Sequence, residues 1–213
     1  MIDKRLGVFG GSFDPVHVGH LIIGEILRHE LRLDTVLFLP AGRPPHKPEQ
    51  ELAADRHRVE MLELALCDAP GFEISTLDLD RPGSSYTATT LELLRDELSP
   101  GTELFFLMGQ DSLRDFPKWR HPGRIAQLAT LAVALRPGVE VDVRDITGAV
   151  PETAGRIQLV SVPLIGVSSR DVRGRIRNGE AFRFQVPNLV ANYIASHGLY
   201  TNREMNEAAT RVI

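Results

Sequence analysis

Leu6-Gly7-Val8-Phe9-Gly10-Gly11-Ser12-Phe13-Asp14-Pro15-Val16-His17-Val18-Gly19-His20 is the stretch on which the fold turns. Its first four residues form an apolar run of strand length, and Gly10-Gly11 reads as a turn. Residues 19–33 then place Leu21, Ile22, Glu25, Ile26 and His29 at helical spacing. A strand passing through glycines into a helix is half of a βαβ unit. In an open parallel sheet such a loop lies beyond the carboxyl end of a strand, where anions meet the free N–H groups of a helix start. Gly10 and Gly11 let the main chain approach a phosphate without a side chain in the way, and Ser12 stands beside them. His17 and His20 are three residues apart, so in a helical turn both imidazoles leave one face and can donate hydrogen bonds to phosphoryl charge.

The alternation continues outward. Residues 35–39 are a β-branched and aromatic run that ends in the proline-rich 40–48, a loop over the sheet edge holding His46 and Lys47. Residues 54–67 read as a helix and 72–79 as a third strand. Residues 84–98 open with hydroxyl side chains suited to capping and carry Leu91, Leu94 and Leu98 on one stripe. The run 103–108 has the character of a central parallel strand buried on both faces, and it ends at Gly109-Gln110-Asp111. Another strand, 130–135, is closed by Arg136-Pro137-Gly138. Weak periodicity over 139–154 predicts an edge strand plus a surface loop, and 157–162 is the last strand. Helices over 168–177 and 188–197 follow, the second with Pro187 before it and Gly198 after it. The expected fold is α/β: a Rossmann-like, doubly wound, mainly parallel sheet with helices on both faces, in one domain over 1–200. The tail 201–213 has no evident partners and is expected to fray. Arg56, Arg58, Arg81 and Arg95 read as solvated charges.

Composition narrows the classes of function. Among 213 residues, 28 Asp and Glu outnumber 24 Lys and Arg, a formal charge of -4, so no global field draws the chain to nucleic acid or anionic lipid. Phosphate binding has to be local. Cys67 is the only cysteine, which excludes an internal disulfide framework and a thiolate metal cluster and suits a reducing cytosol. No apolar run approaches a signal segment or a membrane span. A cytoplasmic protein is expected, with no membrane or nucleic-acid partner, and a homo-oligomer is left open.

The Gly-Gly-Ser-Phe-Asp-Pro and His-x-Gly-His segments resemble the nucleotidyltransferase superfamily. The rest of the chain is similar to the bacterial nicotinate-mononucleotide adenylyltransferases. The likeness runs through Pro44-Pro45-His46-Lys47, Ser85-Tyr86-Thr87 with Thr90-Leu91, and Gly109-Gln110-Asp111 with Phe116-Pro117-Lys118-Trp119. It continues through Val167-Ser168-Ser169 with Arg173, and Val186-Pro187 to Leu199-Tyr200. Six ordered segments from about residue 7 to residue 200 make accident improbable. The resemblance implies transfer of AMP from ATP to nicotinate mononucleotide, with His17 and His20 as the catalytic pair. It implies that Gly10, Gly11, Ser12, His46, Lys47, Ser168, Ser169 and Arg173 lie around ATP and its phosphates. Tyr86 and Thr87, opening a helix, would receive the nicotinate carboxylate, Trp119 would stack on the pyridine ring, and Asp111 would accept from ribose hydroxyls. Mg²⁺ is implied as a companion of the ATP phosphates, with no protein metal cage. One departure is Arg170, where the family usually has a hydroxyl residue after the two serines.

Plainer roles stand beside these. His17 and His20 could be solvated helix-start residues, or two ligands of a zinc site for which no third ligand stands at a convincing spacing. Trp119 could pack under its loop, and Asp111 and Thr87 could be helix caps. Tyr86 could border the core, Lys47 could be a solvated charge, and Ser168, Ser169 and Arg173 could form an ordinary capped helix. A sister transferase acting on phosphopantetheine shares the histidines but explains neither Ser85-Tyr86-Thr87 nor Trp119. A nucleotide sensor without catalysis would not need both histidines.

Overall fold

In the computed structural model, residues 5–42, 52–138 and 141–201 are described. Six strands, β1 Arg5–Gly11, β2 Thr35–Pro40, β3 Phe72–Ile74, β4 Glu103–Gly109, β5 Thr130–Leu135 and β6 Ile157–Ser161, form one sheet. They lie in the order β3-β2-β1-β4-β5-β6, and every pairing is parallel. Strand order reverses between β1 and β4, the crevice where ligands of open α/β sheets bind.

Side-chain alternation along each strand divides the interior into two layers. Phe105 and Leu107 of β4, Phe9 of β1 and Val36 and Phe38 of β2 face one cluster. Leu104, Phe106 and Met108, with Val8, Leu37 and Leu39, face the other. Helices α1 Val18–Glu30 and α2 Asp55–Leu66 cover the first face. Later in the chain, α8 Ser169–Arg177 and α9 Asn188–Ser196 cover it as well, contributing Leu27, Met61, Leu62, Val172, Val190 and Ile194. On the other face Ala88, Leu91 and Leu94 come from α4 Thr87–Glu97, Leu113 from α5 Gln110–Asp115, Ile125 from α6 Pro122–Leu128 and Ile146 from α7 Val143–Ala149. The doubly wound parallel fold expected from the sequence is the fold observed.

Several elements differ from expectation. The third strand stops at Ile74, and Leu77–Asp80 forms the helical turn α3. The buried Asp78 carboxylate accepts from Thr90 Oγ1 at 2.6 Å and pairs with Arg81 at 2.8 Å, and a strand could not aim it at both partners. Residues 139–154 contain no edge strand among those described. Asp142 instead caps α7, accepting from the Arg144 N–H at 2.8 Å, and β6 takes the edge beside β5. Of the four arginines read as solvated, only Arg56 is exposed. Arg58 is fully buried, and Arg95 donates to the Thr102 and Leu128 carbonyls, tying α4 to the approaches of β4 and β5.

Candidate active site

The motif sits at the reversal of strand order, but its glycines are not the turn. β1 runs two residues further than expected, pairing Gly10 with Leu39 and Gly11 with Pro40, so the chain leaves the sheet at Ser12. Phe13 adopts a left-handed backbone, φ 45°, which non-glycine residues seldom do. Its buried ring packs against Phe38 at 5.4 Å and His20 at 5.0 Å, and a Cβ on Gly11 would press on that ring at 3.0 Å. Strain of this kind persists where surrounding packing over-determines the turn.

His17 is the N-cap residue of α1 and His20 lies one turn in, with the two rings stacked at 3.6 Å between centroids. The backbone N–H of His17 donates to His20 Nδ1 at 3.2 Å, so in the neutral imidazole the hydrogen is on Nε2. His17 is 7% exposed, and burial pushes its pKa down to about 4. It is therefore neutral near pH 7. Its Nδ1 is buried without a hydrogen-bond partner among the described residues, a state rare in folded proteins.

Three segments far apart in sequence hold this turn. Asp14 is wholly buried, and its Oδ1 accepts from the Tyr200 hydroxyl at 2.7 Å and from the Ala53 N–H at 3.2 Å. Arg173 donates to the Asp14 carbonyl at 2.6 Å and approaches its carboxylate at 3.5 Å, while Ser169 Oγ donates to the Pro15 carbonyl at 2.9 Å. Arg58 donates to the Ser12 carbonyl at 2.9 Å and to Asp55 at 2.5 Å. Burial and the neighbouring carboxylate push the Tyr200 phenol far up, so it remains a donor. Ser169 and Arg173 thus grip the motif itself, and Ser168 caps α8, accepting from the Asp171 N–H at 3.1 Å. Arg170 is exposed.

At the end of β1 lies a cavity of about 130 Å³ whose lining includes Gly10, Gly11, Phe106, Ser85, Thr87 and Trp119 but neither His17 nor His20. It shares Ser85, Thr87 and Trp119 with an adjoining cavity of about 410 Å³ that adds Tyr86, Lys118, Arg120 and Ile125. Tyr86 is the N-cap of α4, with Thr87 the first helical residue. Trp119 follows the 3-10 turn Phe116–Lys118 and is half-buried, edge-on to Phe106 at 5.9 Å. It therefore packs on the core and lines both cavities.

Asp111 is drawn elsewhere. Its exposed carboxylate is held by Arg136 beyond β5, with Arg114 at 3.9 Å, and it lines neither cavity. His46 and Lys47 lie outside the described residues. Sequence reasoning missed Arg58, Asp14 as a hub, Tyr200 as its partner, and Arg120. Arg58 was legible in principle, since it shares the α2 stripe of the buried Met61 and Leu62 at spacings of three and four.

Residues 8–175 match the family model described as cytidylyltransferase-like. A relative in Thermomicrobium roseum named "Probable nicotinate-nucleotide adenylyltransferase" is 54% identical over 201 residues, 94% of each chain. One of the same name in Thermus thermophilus is 43% identical over 196 residues, 92% of this chain and 99% of the relative. The fold is also that of a Plasmodium falciparum nicotinic acid mononucleotide adenylyltransferase solved in complex with NaAD. The TM-score is 0.74 at 19% identity, over 92% of this chain and 97% of that one. With its turn seated where strand order reverses and its relatives matched nearly end to end, the chain belongs to the nicotinate-nucleotide adenylyltransferase family of cytidylyltransferase-like proteins.

Proposed function

We infer that the chain transfers AMP from ATP to the phosphate of nicotinate mononucleotide, giving nicotinate adenine dinucleotide and pyrophosphate, a step in NAD biosynthesis. The observation that carries this reading is a cavity in which Gly10 and Gly11, at the end of the strand that feeds the histidine turn, face Ser85, Thr87 and Trp119. The proposed acceptor pocket thus adjoins the strand end from which the histidine turn departs, and the relatives' shared name supports the choice of acceptor.

An oxygen of the acceptor phosphate attacks the α-phosphorus of ATP, the bond from that phosphorus to the bridging oxygen breaks, and pyrophosphate departs with the electron pair. A phosphate monoester has a second pKa of about 6, so the nucleophile is already ionised at neutral pH and no general base is required. What remains for the protein is in-line positioning and stabilisation of phosphoryl charge. His20 serves as an Nε2–H donor, its tautomer fixed by the His17 N–H. His17 enters neutral, and a phosphate beside it would raise its pKa toward protonation. Ser12 and the strand-end glycines let main chain and hydroxyl approach the triphosphate. The start of α8 lies on the same turn through Ser169 and Arg173, which supports a place for it beside the adenosine.

Among the described residues no group of three or more His, Cys, Asp or Glu could hold a metal ion, and the turn offers donors that suit phosphate oxygens. Mg²⁺ would arrive on the ATP phosphates and neutralise their charge.

The test is pyrophosphate release from ATP and Mg²⁺ with nicotinate mononucleotide, nicotinamide mononucleotide or phosphopantetheine. Release is expected with the first. Turnover of phosphopantetheine alone would overturn the acceptor assignment, and ATP binding without any turnover would point to a sensor. His20→Ala should lower kcat by about 10²-fold or more while the circular dichroism spectrum stays that of the folded chain. A near wild-type rate would remove His20 from the chemistry.

A further inference from the structure

We propose that Arg120 reads the charge of the acceptor's pyridine substituent, taking the carboxylate of nicotinate mononucleotide and turning away the carboxamide of its amide counterpart. The proposal rests on the acceptor assignment above and adds the side chain that enforces it.

Arg120 lines the cavity of about 410 Å³ together with Tyr86, Thr87 and Trp119, so a flat heterocycle entering beside the indole meets this guanidinium. The guanidinium lies over the Tyr86 ring, 4.4 Å from its centroid. It is also hydrogen-bonded to the Tyr86 side chain, and a guanidinium has five N–H donors, enough to hold that contact and still take a planar carboxylate through two parallel hydrogen bonds.

Charge bookkeeping around the cavity singles the residue out. Lys118 is paired with Asp115 at 3.2 Å, Arg124 with Glu92 at 2.7 Å, and Arg136 with Asp111. Arg120 has no carboxylate partner among the described residues, so its positive charge is available to a ligand. The N-terminus of α4 makes only a weaker distinction. Backbone N–H groups donate to a carboxamide oxygen as well as to a carboxylate oxygen, more strongly to the latter, and a helix end adds only a fractional charge. A full cation does separate the two ligands. It attracts the carboxylate, and against a carboxamide it faces an NH₂ group, donor against donor, which is how a site rejects the wrong ligand as well as binding the right one.

The experiment compares kcat/KM for nicotinate and nicotinamide mononucleotide, with ATP and Mg²⁺ held fixed, in the wild-type chain, Arg120→Met and Arg120→Lys. The same ligands are also titrated without ATP, following the fluorescence of Trp119, the only tryptophan. The acid-to-amide ratio should fall about tenfold or more in Arg120→Met, carried by KM for the acid with the KM for ATP unmoved, and recover in part in Arg120→Lys. The Trp119 titration should show the same loss of affinity for the acid alone. A ratio within about twofold of wild type in Arg120→Met overturns the role of Arg120 while leaving the acceptor assignment standing. A wild-type chain that turns over and binds neither pyridine nucleotide overturns both.

Discussion

Burial decides what His17 can be. Unfolding returns its pKa from about 4 to 6.5, so between those values the unfolded chain holds a proton that the folded chain refuses. Stability therefore rises with pH across that window. The contribution of neutral His17 is whole above pH 6.5 and lost as pH falls toward 4, a swing of about 3 kcal/mol. Urea midpoints measured at pH 5 and pH 7 should differ more in the wild type than in His17→Asn, which cannot take up the proton. Equal pH slopes in the two proteins would refute the burial argument. The spacing of His17 and His20 was legible in sequence because it depends on one helical turn. The environment of His17 was not, because the turn is held by Ser169 and Arg173, across 154 and 159 positions of the chain.

At the scale of elements, legibility followed the length of the period. α1, α4, β4 and β5 repeat their pattern over six residues or more and lie where the sequence placed them. β3 and α7 do not, because each is settled by one side chain: Asp78 with Thr90 and Arg81 ends the strand, and the Asp142 cap starts the helix. The Asp142 cap was readable from sequence, whereas burial of Asp78 needed knowledge of α4. The junction after β2 yields a prediction of its own. Gly42 donates its N–H to Ser85 Oγ at 3.0 Å, and a Cβ there would fall well inside contact distance of the Asp78 carbonyl oxygen. Backbone cannot yield as a side chain does, so Gly42→Ala should push this segment from the start of α4, costing about 1–3 kcal/mol. Differential scanning calorimetry checks this, together with a rise in KM for the acceptor. An unaltered midpoint and KM would show that the segment moves freely.

Across the whole molecule, the two apolar layers and the parallel sheet were legible because four of the strands, β1, β2, β4 and β5, carry near-continuous apolar runs. The clamp behind the histidine turn was not, since its parts come from residues 53, 58, 169, 173 and 200. No local pattern records such a meeting. Tyr200→Phe removes only the hydroxyl that donates to Asp14, leaving a buried carboxylate short of a donor, and should cost about 1–3 kcal/mol. Its thermal midpoint should drop, and KM for ATP should rise as the turn loosens. A fall in the midpoint with unchanged kinetics would confine Tyr200 to stability. The Asp14–Tyr200 bond also spans 186 positions of the chain. During synthesis the histidine turn is made 186 residues before the hydroxyl that completes its clamp. Nascent chains stalled before residue 200 should thus carry the whole motif and still hold nucleotide poorly, so that competence arrives only once α9 and Tyr200 beyond it have been made.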